Sequence, residues 1–199
     1  GPSEVLVIAN ETSNPAFVAA DLLSQAEHGA DSQVILLTTD EIMLNRVQTE
    51  LEVQLASLPR IDIAVDALNN SSFVRLNSLE ECLELSNLYA PEHLILAFDS
   101  ANEYIEQISN AGSVFVGKYS CESAGDYASG TNHTLPTNGY ARNYSGVSLD
   151  SFIKKITFQE LTASGIQTLG PAIEIMAEAE QLVAHKNAVS IRLKSLNNA

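Results

Sequence analysis

The stretch EVLVIANETSNPAFVAADLLSQAEHGADSQVILLT, residues 4–38, decides the fold class, because it contains one complete strand–helix–strand unit. Its two ends are short apolar runs rich in β-branched residues, which is typical of buried strands. Between them, Asn14 is a favourable N-cap, Pro15 takes the first helical position and Gly29 follows the last turn. The pattern therefore predicts a strand, a helix and a second strand in that order.

The same alternation continues through the next part of the chain. Apolar runs predict five strands, at 4–9, 33–38, 72–76, 93–98 and 113–117. Further helices are predicted at 40–57, 78–89 and 101–112. Pro59 should kink or end the first of these, and Ser78 with Glu81 forms a capping-box pattern at the start of the second. Such alternation predicts an α/β fold with a parallel sheet and helices on both faces.

Ligands of such sheets bind beyond the carboxyl ends of the strands, so a site is expected there. No glycine-rich phosphate-binding motif follows any predicted strand. Residues 118–148 lose all periodicity and are rich in Gly, Ser, Asn and Tyr, which predicts a long, ordered, functional loop. The chain then appears helical again, so residues 1–148 are predicted to form the α/β domain and residues 149–199 a separate helical tail.

The charge balance limits the possible partners. The net charge is −15, from 25 acidic and 10 basic residues. Nucleic acids and anionic membrane surfaces attract basic surfaces, so neither is expected as a partner. No apolar run approaches the roughly 20 residues that span a bilayer, and the first residues lack the features of a signal peptide. Cys82 and Cys121 form no disulfide framework, which suits a reducing compartment, and we expect a cytoplasmic protein.

Gln25 and His28 are three residues apart near the predicted end of the first helix, a spacing that places both on one helical face. Such a pair can bind a metal ion, although a histidine there is also favoured by the helix dipole alone. Asp126 and His133 lie in the Gly-rich loop, where the alternative role for Asp126 is that of a turn residue.

Two further candidates, Glu180 and His185, lie in the tail. Glu180 is explained most simply as part of a solvated face, and His185 as a residue at a break between helices. Taken together, the glutamine, histidine and aspartate side chains suit a borderline metal such as zinc with mixed nitrogen and oxygen ligands.

The stretch YAPEHLIL, residues 89–96, places Glu92 beside His93 just before the fourth strand. Neighbours on a strand point to opposite faces, so both side chains reach one site only if they lie in the turn after Pro91. A carboxylate and an imidazole together can supply general acid–base catalysis. The residues alone favour an enzyme, with a zinc-assisted hydrolase or a non-catalytic interaction domain as alternatives.

Six motifs, in collinear order, resemble the histidinol dehydrogenase family. They are GPSEVLVIA, AADLLSQAEHG, YAPEHL, NAGSVF, ESAGDYASGTNHTLPT and AHKNAVSIRL. The resemblance covers the whole chain and corresponds to roughly the C-terminal half of that enzyme. Gly1 and Pro2 would then belong to the natural sequence, and the sheet would be an incomplete Rossmann-like sheet.

The resemblance implies an NAD-dependent, zinc-dependent oxidation of L-histidinol to L-histidine in two steps, at the end of histidine biosynthesis. It implies that Glu92 activates water and His93 takes the alcohol proton. It implies zinc ligation by Gln25, His28, Asp126 and His185. Substrate contacts implied are those four ligands together with Ser3, His93, His133 and Glu180.

The resemblance also implies a homodimer whose helical tails are exchanged, so that Glu180 and His185 act in the partner's site. The family's NAD contacts lie largely in its N-terminal half, so no cofactor-binding residue is identified in this chain. The chain is therefore expected to be a fragment that needs that N-terminal half as a partner. Alone it should have little or no dehydrogenase activity, and exposed apolar surface should favour its association.

Overall fold

The computed structural model describes residues 3–197, so the assignment of Gly1 and Pro2 to the natural sequence lies outside the described residues. The sheet has five strands: β1 (Glu4–Ala9), β2 (Gln33–Thr38), β3 (Ser72–Arg75), β4 (His93–Leu96) and β5 (Ser113–Val116). They are all parallel and lie in the order β3-β2-β1-β4-β5. The predicted parallel sheet is therefore confirmed.

Helices cover both faces of the sheet, as predicted. The helices are α1 (Pro15–Ala26), α2 (Glu41–Leu55), α3 (Ile61–Asn69), α4 (Leu79–Tyr89), α5 (Glu122–Tyr127), α6 (Ala163–Ala179) and α7 (Val183–Asn197). Side chains of α1, α2 and α3 pack in one core cluster with Val5 and Val7 of β1. Cys82 and Leu83 of α4 pack in a second cluster with Leu6 and Ile8. Alternate residues of β1 thus enter opposite cores.

Local sequence signals explain where several helices begin. The Asn14 side chain accepts a hydrogen bond from the Ala16 N–H at 3.0 Å, and Pro15 is the first residue of α1. The Ser78 hydroxyl accepts from the Glu81 N–H at 3.2 Å and so caps α4. In a capping box the glutamate carboxylate accepts from the N–H of the N-cap residue. Here the Glu81 carboxylate accepts instead from the N–H of Asn77, the residue before Ser78, at 2.8 Å.

Two predicted helices are wrong. Residues 101–112 form a 3₁₀ helix only over Ala101–Gln107. The Asn87 side-chain oxygen accepts from the N–H groups of Ser109 and Asn110 at 2.9 and 3.2 Å, which diverts the backbone from a helix. Residues 153–162 contain no helix. Ile156 and Phe158 are exposed there, so a helix would have no core on which to bury an apolar face.

The chain divides into two compact units, one ending at Phe152 and the other beginning at Ile153. In the second unit, α6 approaches α7 closely at Gly170, where an added Cβ would lie 2.8 Å from the Leu193 side chain. Ile175, Met176 and Ile191 of these helices are exposed. None of the helices in residues 3–197 combines the length and apolar character needed to cross a membrane.

Candidate active site

Four residues meet at the amino ends of two adjacent strands, β1 and β4. Glu4 and His93 are the first residues of these strands, and Ser3 and Glu92 immediately precede them. The sequence predicted a site beyond the carboxyl ends of the strands. For these four residues that prediction is wrong. Polar and charged side chains instead approach each other at the amino ends, because Ser3–Glu4 and Glu92–His93 enter the sheet side by side.

The Glu92 carboxylate turns back across the start of β1. Its Oε2 atom accepts hydrogen bonds from the Ser3 hydroxyl at 2.7 Å and from the Glu4 N–H at 2.9 Å. Its Oε1 atom forms no hydrogen bond within residues 3–197. Glu92 is buried, and these two donors hold one of its carboxylate oxygens in place.

The His93 ring is oriented by the neighbouring strand. Its Nδ1 atom lies 3.0 Å from the backbone carbonyl oxygen of Glu4. A carbonyl oxygen only accepts, so this contact places the proton of the neutral ring on Nδ1 and leaves the lone pair on Nε2. Nε2 is buried and has no hydrogen-bond partner in the described part of the chain. The ring therefore presents a nitrogen with a lone pair to which no group within residues 3–197 is hydrogen-bonded.

Glu92 and His93 lie close together although they are neighbours in sequence. The Glu92 Oε2 atom is 3.7 Å from His93 Nδ1. Because Glu92 precedes β4 rather than belonging to it, the alternation of strand side chains does not separate the two. This geometry answers how both side chains can reach one site.

A third carboxyl group, that of Glu122, was not predicted. Its Oε1 atom is 3.9 Å from His93 Nδ1, and its buried Oε2 atom has no partner within residues 3–197. Burial, followed by the charges of Asp126, Glu92 and Asp21, raises the pKa of Glu122 to about 9. The sequence signal was missed because α5 was treated as loop, although Glu122 and Asp126 have the i, i+4 spacing of one helical face.

Glu4 was also missed, because it stands at the start of an apolar run and reads as part of a strand. Its side chain is 3% exposed. Its Oε1 atom accepts from the Asn138 N–H at 2.7 Å, and its Oε2 atom accepts from the Glu92 N–H at 3.4 Å. Burial raises the pKa of Glu4, and these two N–H groups oppose the rise.

Gln25 is fully buried in α1, yet neither its amide nitrogen nor its amide oxygen has a partner within residues 3–197. Buried amides are normally hydrogen-bonded, so such an orphaned pair calls for an explanation. Asp21, one turn earlier, has its pKa raised to about 7 by burial. The helix contacts α5, which carries Glu122 and Asp126.

The prediction that Gln25 and His28 share a helical face is wrong. Helix α1 ends at Ala26, and His28 lies exposed in the following turn, where its N–H donates to the Gln25 carbonyl at 3.2 Å. The helix ends early because Glu27 already has the geometry of a C-cap. Gln25 thus faces the interior while His28 faces solvent.

The remaining candidates occupy three settings. Asp126 is half-buried on α5, so it belongs to a helix rather than to an open loop. His133 is exposed on the loop that follows. Glu180 and His185 belong to the second unit and are exposed at the end of α6 and in the first turn of α7. Over residues 3–197, no three or more His, Cys, Asp or Glu side chains form a cluster that could hold a metal ion.

An open cavity of about 700 Å³ is lined by the start of β5 and by residues of the loop that follows α5. Its lining includes Gly112, Ser113 and Asn132. The Ser113 N–H donates to the Glu92 carbonyl at 2.9 Å, so the wall of the cavity is bonded directly to the backbone of Glu92. The candidate site itself offers a base, His93, and three carboxyl groups, those of Glu4, Glu92 and Glu122.

Comparisons with known proteins agree with the architecture. The family model described as histidinol dehydrogenase matches residues 1–193. A histidinol dehydrogenase of Bacteroides fragilis (strain YCH46) is 62% identical over 196 residues, which cover 98% of this chain and 46% of that protein. One of Yersinia pestis is 58% identical over 199 residues, covering all of this chain and 45% of the relative.

A crystal structure of histidinol dehydrogenase from Elizabethkingia anophelis superposes with a TM-score of 0.95 and 70% sequence identity. The match covers 99% of this chain and 46% of that chain. The chain thus spans about half the length of the relatives it matches. By sequence and by structure, this chain belongs to the histidinol dehydrogenase family.

Proposed function

We propose that this chain supplies the acid–base half of a histidinol dehydrogenase active site, in a protein that oxidises L-histidinol to L-histidine with NAD. The observation that carries the proposal is the buried, unpartnered Nε2 atom of His93, whose lone pair is set by the contact of Nδ1 with the Glu4 carbonyl. A neutral imidazole held in one tautomer is a suitable base for an alcohol proton.

In this proposal His93 takes the hydroxyl proton in the alcohol oxidation. Glu92 then acts on the water that hydrates the aldehyde, through the Oε1 atom that has no protein partner. Ser3 holds the opposite oxygen, Oε2, so the carboxylate keeps its orientation while Oε1 accepts a proton. Two hydride equivalents pass to two molecules of NAD, which supply the redox chemistry.

The residues also fit a bound zinc ion. The buried Gln25 amide has no hydrogen-bond partner within residues 3–197. Burial, and then the charges of Asp126, Glu92 and Asp21, raise the pKa of Glu122, which lies on the helix that contacts α1. The ion pairs of Arg75 with Glu41, Lys118 with Asp99 and Lys186 with Glu178 do not involve Gln25, Glu122 or Asp126. A bound cation would give the Gln25 amide oxygen a partner and would offset the negative charges that surround Glu122.

Gln25 and Asp126, on the contacting helices α1 and α5, are proposed ligands from this chain. His28 is a third, and its exposed side chain would have to turn inwards from the turn after α1, while His185 would come from a partner subunit. When bound, zinc would orient the substrate's imidazole and amino groups. Metal analysis of the purified, dialysed protein tests this proposal. About one zinc per chain supports it, and a metal-free protein that also fails to take up added zinc contradicts it.

The proposal assigns NAD binding to the part of the protein that this chain does not span. We therefore propose that the 199-residue chain alone has little or no dehydrogenase activity. The test is NADH formation from L-histidinol, measured for this chain and for the protein extended to the length of its relatives. Activity only in the extended protein supports the proposal. Full activity of the chain alone contradicts the proposal that the chain is inactive by itself. Inactivity of both the chain and the extended protein contradicts the dehydrogenase function.

We propose further that the second unit is exchanged between two subunits and brings Glu180 and His185 to the partner's site. The exposed side chains of Ile175, Met176 and Val183 support an interface. Sedimentation of the chain over a range of concentrations tests it, with removal of residues 153–199 as the comparison. A dimer that persists without those residues contradicts the exchange.

A further inference from the structure

Glu4 connects the start of the sheet with a distant loop. Its carboxyl Oε1 atom accepts from the N–H of Asn138, 134 positions later in the chain, at 2.7 Å. Its backbone carbonyl accepts from His93 Nδ1 at 3.0 Å. One residue thus contacts both the proposed base and the segment that carries His133.

We propose that Glu4 is a positioning residue whose carboxyl group holds the loop segment 130–147 over the amino ends of β1 and β4. This inference rests on the proposed function in one respect: the assignment of His133, which lies on that segment, to substrate binding. It differs from a role in the chemistry, because the Glu4 side chain touches neither the His93 ring nitrogen Nε2 nor the free Oε1 atom of Glu92 in the described structure.

The backbone at the contact is unusual. Asn138 has φ +55° and the next residue, Gly139, has φ +73°, so two consecutive residues adopt the left-handed region. Asparagine tolerates this region better than most residues, but it remains less favourable than the right-handed one. The hydrogen bond to a buried carboxyl oxygen gives a physical reason for the turn to persist at this point.

Contacts of Arg142 and of Leu135 also hold the same segment in place. Arg142 donates to the carbonyl oxygen of Leu88, near the end of α4. The Leu135 side chain packs so closely on Gly112 and Gly146 that a Cβ added at those glycines would lie 3.2 and 2.5 Å from it. These contacts lie on either side of Asn138 in sequence. Loss of the Glu4 contact should therefore loosen the centre of the segment without releasing its ends.

Amide hydrogen exchange on the 199-residue chain tests the inference directly, by NMR at single residues. In the unsubstituted chain, the Asn138 amide should exchange at least about tenfold more slowly than the exposed His133 amide, since it is hydrogen-bonded to a buried acceptor. Equal rates for the two amides would overturn the proposal. This comparison needs no variant, so it stands even where a substitution prevents folding.

Substitutions of Glu4 distinguish loss of the Glu4–Asn138 hydrogen bond from a general loss of stability. Glu4→Met keeps the length of the side chain but removes the acceptors, and should lower Asn138 protection about tenfold. Glu4→Gln retains an acceptor oxygen and should restore it. Glu84→Met, at an exposed position on α4, is the matched control and should change nothing at Asn138. Unchanged protection in Glu4→Met, or no recovery in Glu4→Gln, would overturn the inference.

Kinetics of the extended protein add a second readout. Because the Glu4 carbonyl still orients His93, Glu4→Met should raise KM for L-histidinol about tenfold and change kcat less. Glu4→Gln should return KM towards its original value. A fall in kcat with unchanged KM would overturn the assignment of the loop to substrate positioning. If the unsubstituted protein does not oxidise histidinol, the proposed function fails, whereas the exchange measurements still decide whether Glu4 holds the loop.

Discussion

His93 Nδ1 lies 3.0 Å from the carbonyl oxygen of Glu4, across the first residues of two adjacent parallel strands. This contact uses the backbone of one strand to select the tautomer of a side chain on the next. In the neutral ring the lone pair then lies on Nε2, which has no hydrogen-bond partner within residues 3–197.

Replacing His93 should remove the base while leaving binding largely intact. His93→Asn can still donate from its amide to the Glu4 carbonyl but has no basic nitrogen, so kcat of the extended protein should fall by about 10²- to 10⁴-fold. Steady-state NADH formation measures this. His133→Asn is the comparison, and it should act mainly on KM. A His93→Asn enzyme within a factor of about ten of the parent kcat would exclude His93 as the base.

Replacing Gln25 should stabilise the metal-free chain but weaken the stabilisation that added zinc produces. In the metal-free chain, Gln25→Met removes two buried polar atoms that have no hydrogen-bond partner within residues 3–197, so the free energy of unfolding should rise by about 1–3 kcal/mol. The same change should greatly reduce the stabilisation produced by added zinc. Urea denaturation in the presence of chelator, and then of zinc, measures both effects.

Gln54→Met is the matched control for this experiment. The Gln54 amide nitrogen donates to the Ala16 carbonyl at 3.0 Å, so its replacement should lower stability and leave the response to zinc unchanged. If Gln25→Met destabilises the metal-free chain as Gln54→Met does, the Gln25 amide is hydrogen-bonded in solution and its proposed role as a ligand loses its support.

Glu122 should make the stability of the metal-free chain depend on pH. Its pKa is raised from 4.5 to about 9 in the folded state, so the folded chain retains a proton that the unfolded chain releases. The stability that this proton provides is fully present below pH 4.5 and is lost progressively as the pH rises towards about 9.

Glu122→Gln cannot ionise and should remove this part of the decline. Urea denaturation at several pH values between 5 and 9, with chelator present, should show a smaller loss of stability for Glu122→Gln than for the parent. Glu84→Gln, at an exposed position on α4, should follow the parent curve. Parallel curves for the Glu122→Gln and parent chains would show that the Glu122 pKa is not raised.

Gly112 should tolerate no side chain. A Cβ there would lie 2.5 Å from the backbone oxygen of Glu92, which accepts the Ser113 N–H, and 3.2 Å from Leu135. Gly112→Ala should therefore cost about 1–3 kcal/mol of stability and displace Glu92. Chemical denaturation measures the loss. Gly165→Ala, near the start of α6 where alanine favours the helix, is the control: its Cβ would lie 3.3 Å from the Thr162 hydroxyl and no closer to any other atom, so it should cost less than Gly112→Ala.

Local signals in the sequence were sufficient for most of the sheet and its helices. Asn14 and Pro15 begin α1, and Ser78 begins α4, as their side chains predict. The prediction was wrong where distant residues compete for the backbone. The Asn87 side chain ends the 3₁₀ helix over Ala101–Gln107 through bonds to residues more than twenty positions away. Segment 153–162 lacks the packing partner that a helix requires.

The site shows the same division. Glu92 and His93 were identified as a candidate acid–base pair, because their residue types and their place before an apolar run are properties of the sequence. Glu4 and Glu122 were not, because their importance depends on burial and on contacts with residues about 30 to 134 positions away. His28 was assigned to a helical face that ends before it is reached.

The sequence by itself determined the alternation of strands and helices, the ends of several helices and the family, since these depend on short-range patterns of side-chain type. The tertiary structure alone decided that the candidate site residues meet at the amino ends of β1 and β4, that the Glu4 carbonyl contacts the His93 ring, and that burial raises the pKa of Glu122. These depend on strand pairing and on exclusion of water, which bring together and desolvate groups that no local pattern connects.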